Sequence, residues 1–133
     1  MSNPEAPLFG FRKKLSDGSF EVKYSWYSAK KIYGSAEKLG SGMRNLGLIE
    51  KINEWNNMDM EFVGMYSINT VRLLTADISC GIYNYCIIPI YDTLGEESIE
   101  LALKQTKLKT CLVSFSNLKK MMKAKEKGLY STL

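Results

Sequence analysis

The chain has 133 residues, of which 45% are hydrophobic, and it carries 18 basic and 14 acidic side chains for a net charge of +4. This length and apolar content exclude an intrinsically disordered chain and fit one domain, or part of a larger one. Because the charges are interspersed over most of the sequence, the mildly basic balance predicts no nucleic-acid partner.

Histidine is absent, and the three cysteines show no paired spacing. The absence of histidine excludes Ser-His and Cys-His nucleophile pairs and the zinc-protease helix. Cys80, Cys86 and Cys111 each lie among apolar residues and form no Cys-x-x-Cys. We therefore predict buried free thiols in a reducing compartment, with a reactive thiol as the alternative.

The first residues contain neither a basic segment nor an apolar segment of the kind found in signal peptides. No later stretch approaches the ~20 apolar residues that cross a bilayer. We expect no signal peptide and no transmembrane segment, and we expect residues 1–7 to be flexible.

Two extended segments open the chain. Leu8 to Arg12 and Glu21 to Tyr27 flank Asp17-Gly18, and Asp-Gly between extended segments predicts a β-hairpin. The second arm alternates, which predicts one buried face and one solvated face. The predicted buried residues are Val22, Tyr24 and Trp26, and the solvated ones are Lys23, Ser25 and Tyr27.

A long helix follows, with Ser28 as its N-cap and Gly47 as the left-handed residue that ends it. Its apolar residues recur at helical spacing: Ala29, Ile32, Tyr33, Ala36, Leu39, Gly40, Met43 and Leu46. Gly40-Ser41-Gly42 resembles part of a nucleotide-binding loop, but the spacing is wrong and no strand precedes it. Close packing of this helix against a neighbour is the better interpretation.

The middle of the chain contains a polar stretch from Glu50 to Met60, which we predict to be a loop, and then a short apolar strand from Phe62 to Tyr66. Asn69 is the predicted N-cap of the next helix. In that helix Val71, Leu74, Ile78 and Ile82 share one face.

Cys86 to Tyr91 is a short apolar run, typical of a strand buried on both faces of a parallel sheet. Pro89 is unusual there because proline cannot donate to a ladder. Thr93 and Glu96 have the spacing of a capping box. Helix 96–106 then turns Ile99, Ala102 and Leu103 inward, and strand 110–115 and helix 117–127 follow. This alternation predicts an α/β fold with right-handed crossovers and a parallel sheet covered on both faces.

Three groups of charged residues are candidates for a site. Asp92 lies at the carboxyl end of a predicted parallel strand, where α/β sheets place ligands, although bonding to turn amides explains it better. Glu96, Glu97 and Glu100 fit an acidic first helical turn. A lysine run could form a membrane-surface or acidic-partner face, or a solvated helix face: Lys119, Lys120, Lys123, Lys125 and Lys127, with Leu118, Met121 and Met122.

Several blocks, in order, resemble the long-chain fatty acyl-CoA synthetases of the adenylate-forming superfamily. Pro89-Ile90-Tyr91-Asp92-Thr93-Leu94-Gly95 is similar to their Pro-Leu-Tyr-Asp-Thr-Leu-Gly block. Residues 8–12, 24–27, 40–47 and 62–64 resemble further family blocks, so the resemblance covers roughly residues 8–127. It departs after Asn69, where the family's Glu-Trp is missing.

The resemblance implies an N-terminal subdomain of an adenylate-forming enzyme, with residues 1–133 forming a partial AMP-binding domain. The family makes acyl-CoA from fatty acid, ATP and CoA with Mg²⁺, on the cytoplasmic side and peripheral to the endoplasmic reticulum or another membrane. The family's phosphate loop and later ATP-binding motifs are absent from these 133 residues. We therefore assign no catalytic, cofactor-binding or metal-binding residue and expect the isolated chain to be inactive.

Two further expectations concern the isolated chain. A free-standing α/β binding or interaction module without catalysis is the alternative to a ligase fragment. If the helices that cover the sheet lie outside the sequence, Ile87, Ile88 or Val113 would be exposed, and we then expect self-association.

Overall fold

The computed structural model describes residues 3–54 and 57–133. The strands are β1 Pro7–Phe11, β2 Ser25–Ser28, β3 Lys51–Glu54, β4 Met58–Tyr66, β5 Cys86–Ile90 and β6 Cys111–Val113. The helices are α1 Ala29–Asn45, α2 Val71–Tyr83, α3 Glu96–Thr106 and α4 Phe115–Glu126. Of the segment 1–7 predicted to be flexible, residues 1 and 2 lie outside the described residues, and residues 3–6 form a turn closed by Ala6 N–H and Asn3 C=O at 3.0 Å.

Strand β4 is the centre of the main sheet. Its first half pairs antiparallel with β3, and its second half pairs in parallel with both β5 and β6. The register places Phe62 opposite Cys86 and Tyr66 opposite Ile90. The predicted parallel sheet from residue 61 onward is therefore confirmed.

Alternate residues of β4 feed two separate cores. Val63 and Met65 join Met43 of α1 and Cys80 of α2 on one face. On the other face Tyr66 joins a cluster with residues of α3 and α4, namely Ile99, Leu103, Met121 and Ala124, together with Ile90, Leu108 and Tyr130. Helices thus cover both faces of the sheet, as the sequence predicts.

The residues expected to be exposed in an incomplete domain are half-buried instead. Ile87 packs against the α1–α2 core, and Ile88 and Val113 pack against the α3–α4 core. The condition for that exposure is not met at these three residues, because the helices that cover them lie within the sequence itself.

Helix α1 begins and ends where its sequence predicts. The Ser28 hydroxyl accepts a hydrogen bond from the Lys31 N–H at 3.3 Å, and Gly47 adopts a φ of +61° just beyond the last turn. A Cβ on Gly40 would overlap the Tyr83 ring and lie 2.8 Å from Ser79 Oγ. The close-packing interpretation of this glycine is confirmed, since only a missing side chain lets α1 and α2 approach so closely.

The prediction of a polar loop from Glu50 to Met60 is wrong where the structure describes this segment. Residues 51–54 and 58–61 form an antiparallel ladder, in which Asn53 Nδ2 donates to Asp59 Oδ1 at 3.2 Å. Asn57 takes a left-handed φ of +56°, which asparagine tolerates in tight turns. Trp55 and Asn56 lie outside the described residues.

The start and the buried face of α2 also differ from the prediction. Thr70, not Asn69, is the N-cap, and its hydroxyl accepts from the Leu73 N–H at 3.1 Å. The residues that become fully buried are Ala76, Ser79 and Cys80. The larger residues Leu74 and Ile82 stay partly exposed because α2 lies so close to α1 that its small residues fill the contact.

Strand β5 explains Pro89 but corrects its surroundings. Within the described chain β5 pairs only with β4, so it is an edge strand, where proline is tolerated. Pro89 is exposed, so β5 is only partly buried, although Ile87 packs against one core and Ile88 and Ile90 pack against the other. Gly95 caps α3 without any side-chain hydrogen bond, so the capping box of Thr93 and Glu96 was wrong.

Helix α3 spans the predicted residues, and Ile99 and Leu103 are buried as expected. Strand β6 is shorter than predicted, because Phe115 begins α4 and is 85% exposed. The chain changes direction at Ser114, which is the N-cap of α4. The last helix therefore begins two residues before the prediction.

The N-terminal hairpin forms, with β1 and β2 antiparallel and Lys14 bridged to Phe20 near the turn. Its predicted buried face was wrong. Tyr24 and Trp26 are 59% and 58% exposed, and Val22 is 91% exposed. The two strands form a separate two-stranded sheet that packs beside α1, so no layer covers this face within the described residues.

The carboxylate of Glu100 anchors the C-terminal turn to α3. It accepts a hydrogen bond from the Tyr130 N–H and pairs with Lys104 Nζ at 2.9 Å, while its side chain is only 11% exposed. The hydrogen bond from Lys104 and that from the Tyr130 backbone hold the pKa of Glu100 below its ordinary value. Tyr130, buried beneath the turn, joins the α3–α4 core.

Substituting Gly40 with alanine tests the close approach of α1 and α2. The added methyl group must displace Tyr83 and Ser79, so we expect Gly40→Ala to lower the free energy of unfolding by about 1–3 kcal/mol. Gly42→Ala is the matched control, since nothing lies within 4 Å of a Cβ there. It should stabilise the same helix by up to ~1 kcal/mol. Urea unfolding followed by circular dichroism measures both, and equal effects would contradict the packing assignment.

Acid titration tests the anchor at Glu100. Because its pKa is lower in the folded state, its contribution is fully present above the unfolded pKa of ~4.3 and is lost as pH falls through the folded value. We expect Glu100→Gln to lower the melting temperature at pH 7 and to flatten the acid limb of its pH dependence. Glu97→Gln, an exposed substitution in the first turn of the same helix, should change both much less, because an exposed carboxylate gains only about 0.3–1 kcal/mol from the helix dipole.

Candidate functional site

A cleft of about 610 Å³ opens where β4 and β6 end. Ser67 follows β4 and Ser114 follows β6, and both line the cleft. The Ser114 N–H donates to the Tyr66 carbonyl at 3.1 Å, which holds the two strand ends together. Clefts at the carboxyl ends of parallel strands are the usual ligand sites of open α/β sheets.

Two helices point their N-termini into this region. Thr70 caps α2, and Ser114 caps α4 with its Oγ 2.9 Å from Ser116 Oγ. The Ser114 hydroxyl makes no capping bond to its own helix. Free N–H groups and the helix dipole make such ends favourable for an anionic group.

The walls of the cleft are mainly apolar. The rings of Phe11 and Tyr27 stack with centroids 4.9 Å apart on the hairpin side. Leu112 and Val113 of β6 also line the cleft, and the other apolar lining residues are Leu39, Ile68, Val71, Leu73, Ala76 and Phe115. An apolar cleft with a few polar groups at one end is typical of a binding site for an organic molecule.

The chemistry of the cleft is that of binding rather than proton transfer. Among its described lining residues there is one arginine, Arg72, together with hydroxyl side chains, and there is no carboxylate. Serine hydroxyls need an adjacent general base to act as nucleophiles, and the sequence holds no histidine. The cleft can therefore hold and orient an anionic or amphipathic group.

Asp92 lies at the same end of the sheet but does not line the cleft. Its Oδ1 is 3.9 Å from Lys120 Nζ, and its side chain is 38% exposed. The Leu94 N–H donates to the Tyr91 carbonyl at 3.1 Å, so the turn closes through backbone and not through Asp92. Burial, followed by the nearby Asp92 charge, raises the pKa of Tyr66. Asp92 thus forms a weak exposed ion pair in this structure.

The other charged candidates lie away from the cleft. Glu96 pairs with Lys127 at 2.9 Å and Glu100 holds the C-terminal turn, so two members of the acidic first turn have structural partners. Lys125 Nζ donates to the Leu133 carbonyl at 2.6 Å. All five lysines of the lysine run are exposed, four on α4 and Lys127 at its C-cap. The buried residues of α4 are Asn117, Met121 and Ala124. The solvated-face interpretation fits this arrangement.

The three cysteines are free thiols, with Cys80 buried and the other two half-buried. Burial raises the pKa of Cys80 to about 11 and that of Cys111 to about 12. A thiol with so high a pKa holds little thiolate at neutral pH, which favours the inert interpretation over a reactive thiol for Cys80 and Cys111.

Clusters of metal-binding side chains and membrane-spanning helices are both absent from the described residues. In residues 3–54 and 57–133 no three histidine, cysteine, aspartate or glutamate side chains gather closely enough to hold a metal ion. None of the helices in these ranges is both long and apolar enough to cross a membrane.

Sequence reasoning missed the residues of the cleft. Ser67, Thr70 and Arg72 follow one strand, and Ser114 and Ser116 follow another, so they meet only when β4 and β6 pair. The available signal is a hydroxyl residue directly after each buried strand. Ser114 carried no such signal because strand β6 was predicted to run through it.

Curated relatives are similar to most of this chain. It is 30% identical over 107 residues to long-chain-fatty-acid–CoA ligase 6 of Mus musculus. This match covers 80% of this chain and 14% of the mouse protein. It is 23% identical over 120 residues to long chain acyl-CoA synthetase 4 of Arabidopsis thaliana, covering 90% of this chain and 16% of the relative. The chain thus spans about one seventh of the length of these relatives. No family model matches it.

Solved structures agree on the fold. The adenylation domain of a carboxylate reductase from Mycobacterium chelonae matches with a TM-score of 0.66 at 12% identity, over 86% of this chain and 18% of that one. The α/β fold and the resemblance predicted from the sequence blocks are both confirmed. The chain is therefore related in sequence to one segment of the long-chain acyl-CoA synthetases, and its fold is that of a part of the adenylate-forming enzymes.

Proposed function

We propose that this chain serves as the N-terminal part of a long-chain fatty acid CoA ligase. The observation that carries the proposal is the similarity of 80% or more of the chain to long-chain acyl-CoA synthetases of an animal and a plant. In the proposed reaction, the fatty acid carboxylate attacks ATP to give acyl-adenylate and pyrophosphate. The thiol of CoA then displaces AMP to give acyl-CoA. The whole enzyme, peripheral to a membrane on its cytoplasmic side, would bind fatty acid, ATP and CoA.

Within that enzyme this segment would act as a scaffold. Its sheet fixes the ends of β4 and β6, and two helix N-termini and Arg72 face the same cleft. Such groups can orient an anionic part of a substrate. The described residues offer no set of carboxylates that fits Mg²⁺, so we assign no step through the metal to them.

The alternative is a non-catalytic binding or interaction module related to the same enzymes. One observation favours it: helices from the chain itself cover both faces of the sheet, with a separate core on each side. A unit of this kind can fold on its own. The module would then use the cleft for binding alone.

Pyrophosphate exchange tests whether the isolated chain lacks the adenylation step. We expect the isolated 133-residue chain to give no fatty-acid-dependent exchange of pyrophosphate into ATP, because adenylyl transfer needs preorganised cations and amides around the phosphates. A full-length long-chain acyl-CoA synthetase is the positive control. Exchange by the isolated chain above a no-enzyme blank would contradict the prediction.

The oligomeric state distinguishes the two hypotheses, a fragment of a ligase and a free-standing binding module. If the chain is part of a larger domain, we expect concentration-dependent self-association, since the edge of β5 and side chains such as Phe115 would lack their partners. Light scattering after size exclusion measures it, and Phe115→Ser should reduce it. A monodisperse monomer with one cooperative thermal transition would favour the module.

A further inference from the structure

The N-terminal hairpin has two different faces. Phe11 and Tyr27 stack on each other and line the cleft. Arg12, Phe20, Tyr24 and Trp26 form the other face, which we call the aromatic face. The residues Phe20, Tyr24 and Trp26 are 53%, 59% and 58% exposed, respectively.

Contacts within the hairpin hold the aromatic face in place. The Arg12 guanidinium lies 5.7 Å from the Phe20 ring centre and 5.8 Å from that of Tyr24. The Tyr24 and Trp26 rings are 6.0 Å apart, and the Trp26 ring lies across Gly10, where a Cβ would be 3.0 Å from it. The rings are therefore ordered before any partner binds, which lowers the entropy cost of binding.

Charge is concentrated on the same hairpin. Residues 7–31 hold six basic and two acidic side chains, a net of +4, and the remaining 108 residues hold 12 of each sign. The whole net charge of the protein therefore lies in the hairpin and the first turn of α1. Lys14 is bridged to Phe20 of the aromatic face, and Lys13 and Lys23 are exposed next to face residues in the sequence. Of these lysines and Lys30, only Lys30 pairs with an acid, Glu5, at 3.0 Å.

We propose that the aromatic face docks on an anionic lipid bilayer. Exposed tyrosine and tryptophan rings favour the boundary between headgroups and acyl chains, and lysine and arginine beside them are attracted to anionic lipids. Val22, at 91% exposure, adds an apolar side chain without a polar group. This surface is separate from the cleft. The proposal names the surface by which the enzyme of the proposed function would contact its membrane, and it rests on that function for its setting, whereas vesicle binding is measured without any ligase activity.

Two other occupants fit the face less well. Single-stranded nucleic acid would use the rings for stacking and the lysines for phosphates, but it would leave Val22 without a suitable contact. A second copy that presented the same face would bring two surfaces of net +4 together, which is unfavourable. The lysines of α4 fit a membrane less well because Lys120 and Lys127 already pair with Asp92 and Glu96.

Vesicle flotation tests the proposal with the 133-residue chain, because aggregates sink in a density gradient whereas vesicle-bound protein floats. We expect flotation with vesicles containing about 30% phosphatidylserine and much less with pure phosphatidylcholine. Raising the salt from ~0.1 M to ~1 M should release most of the protein, since the Debye length falls from ~10 Å to ~3 Å.

Matched double variants locate the surface. Lys13→Gln with Lys14→Gln should weaken binding about 25-fold, at about fivefold for each charge. Lys119→Gln with Lys123→Gln removes the same charge from α4 and should change binding less than twofold. Circular dichroism of both variants checks that they fold.

Tryptophan fluorescence reports the depth of the contact. Trp55→Phe leaves Trp26 as the only tryptophan of the chain, and its emission should shift to the blue on binding anionic vesicles. Equal loss of binding in both double variants, unchanged Trp26 emission, or failure to float would overturn the proposal. Tighter binding to a single-stranded oligonucleotide than to the vesicles would also overturn it and would identify nucleic acid as the partner.

Discussion

The structure depends on β4, the strand to which β3, β5 and β6 all pair. Side chains alternate between the two faces of a strand, so Val63 and Met65 enter one core while Tyr66 enters the other. Gly64 lets the start of β6 approach, since a Cβ there would lie 2.6 Å from the Leu108 side chain and 2.9 Å from Cys111 Sγ. A change of one residue in the register of β4 would exchange the two cores, and the helices on both faces would lose their contacts.

Much of the fold follows from short-range patterns. Apolar runs located β5 and the core of β6, helical periodicity gave α3 its bounds, and Ser28 and Gly47 marked the ends of α1. The errors occur where two residues compete for one role or where burial depends on distant partners. Asn69 and Thr70 are both good caps, and only the path of the chain after β4 selects Thr70. Tyr24 and Trp26 alternate like a core strand, yet no layer packs over them within the described residues.

The candidate site was harder to predict because its residues have no common local signature. Ser67, Arg72 and Ser114 belong to common residue types and lie in no recognisable motif. They form a site only because two parallel strands pair and two helices start at the same edge of the sheet. Asp92 drew attention because it ends a strand, but β5 is on the edge of the sheet and its end lies outside the cleft. The pairing of two parallel strands therefore carries more information about a site than the chemical type of a residue at one strand end.

The fold of an adenylate-forming enzyme does not by itself supply that enzyme's chemistry. Stabilising the charge on a reacting phosphate takes several fixed cations and N–H donors, whereas the cleft described here holds one arginine and two helix starts. What this segment can contribute is the position of α4 relative to β4. The Ser114 N–H donates to the Tyr66 carbonyl, and the Asn117 side chain donates to the same carbonyl at 3.5 Å. Together these bonds fix the start of α4 to the end of β4. Because Asn117 is buried, losing that contact would move the helix start and the edge of the cleft together.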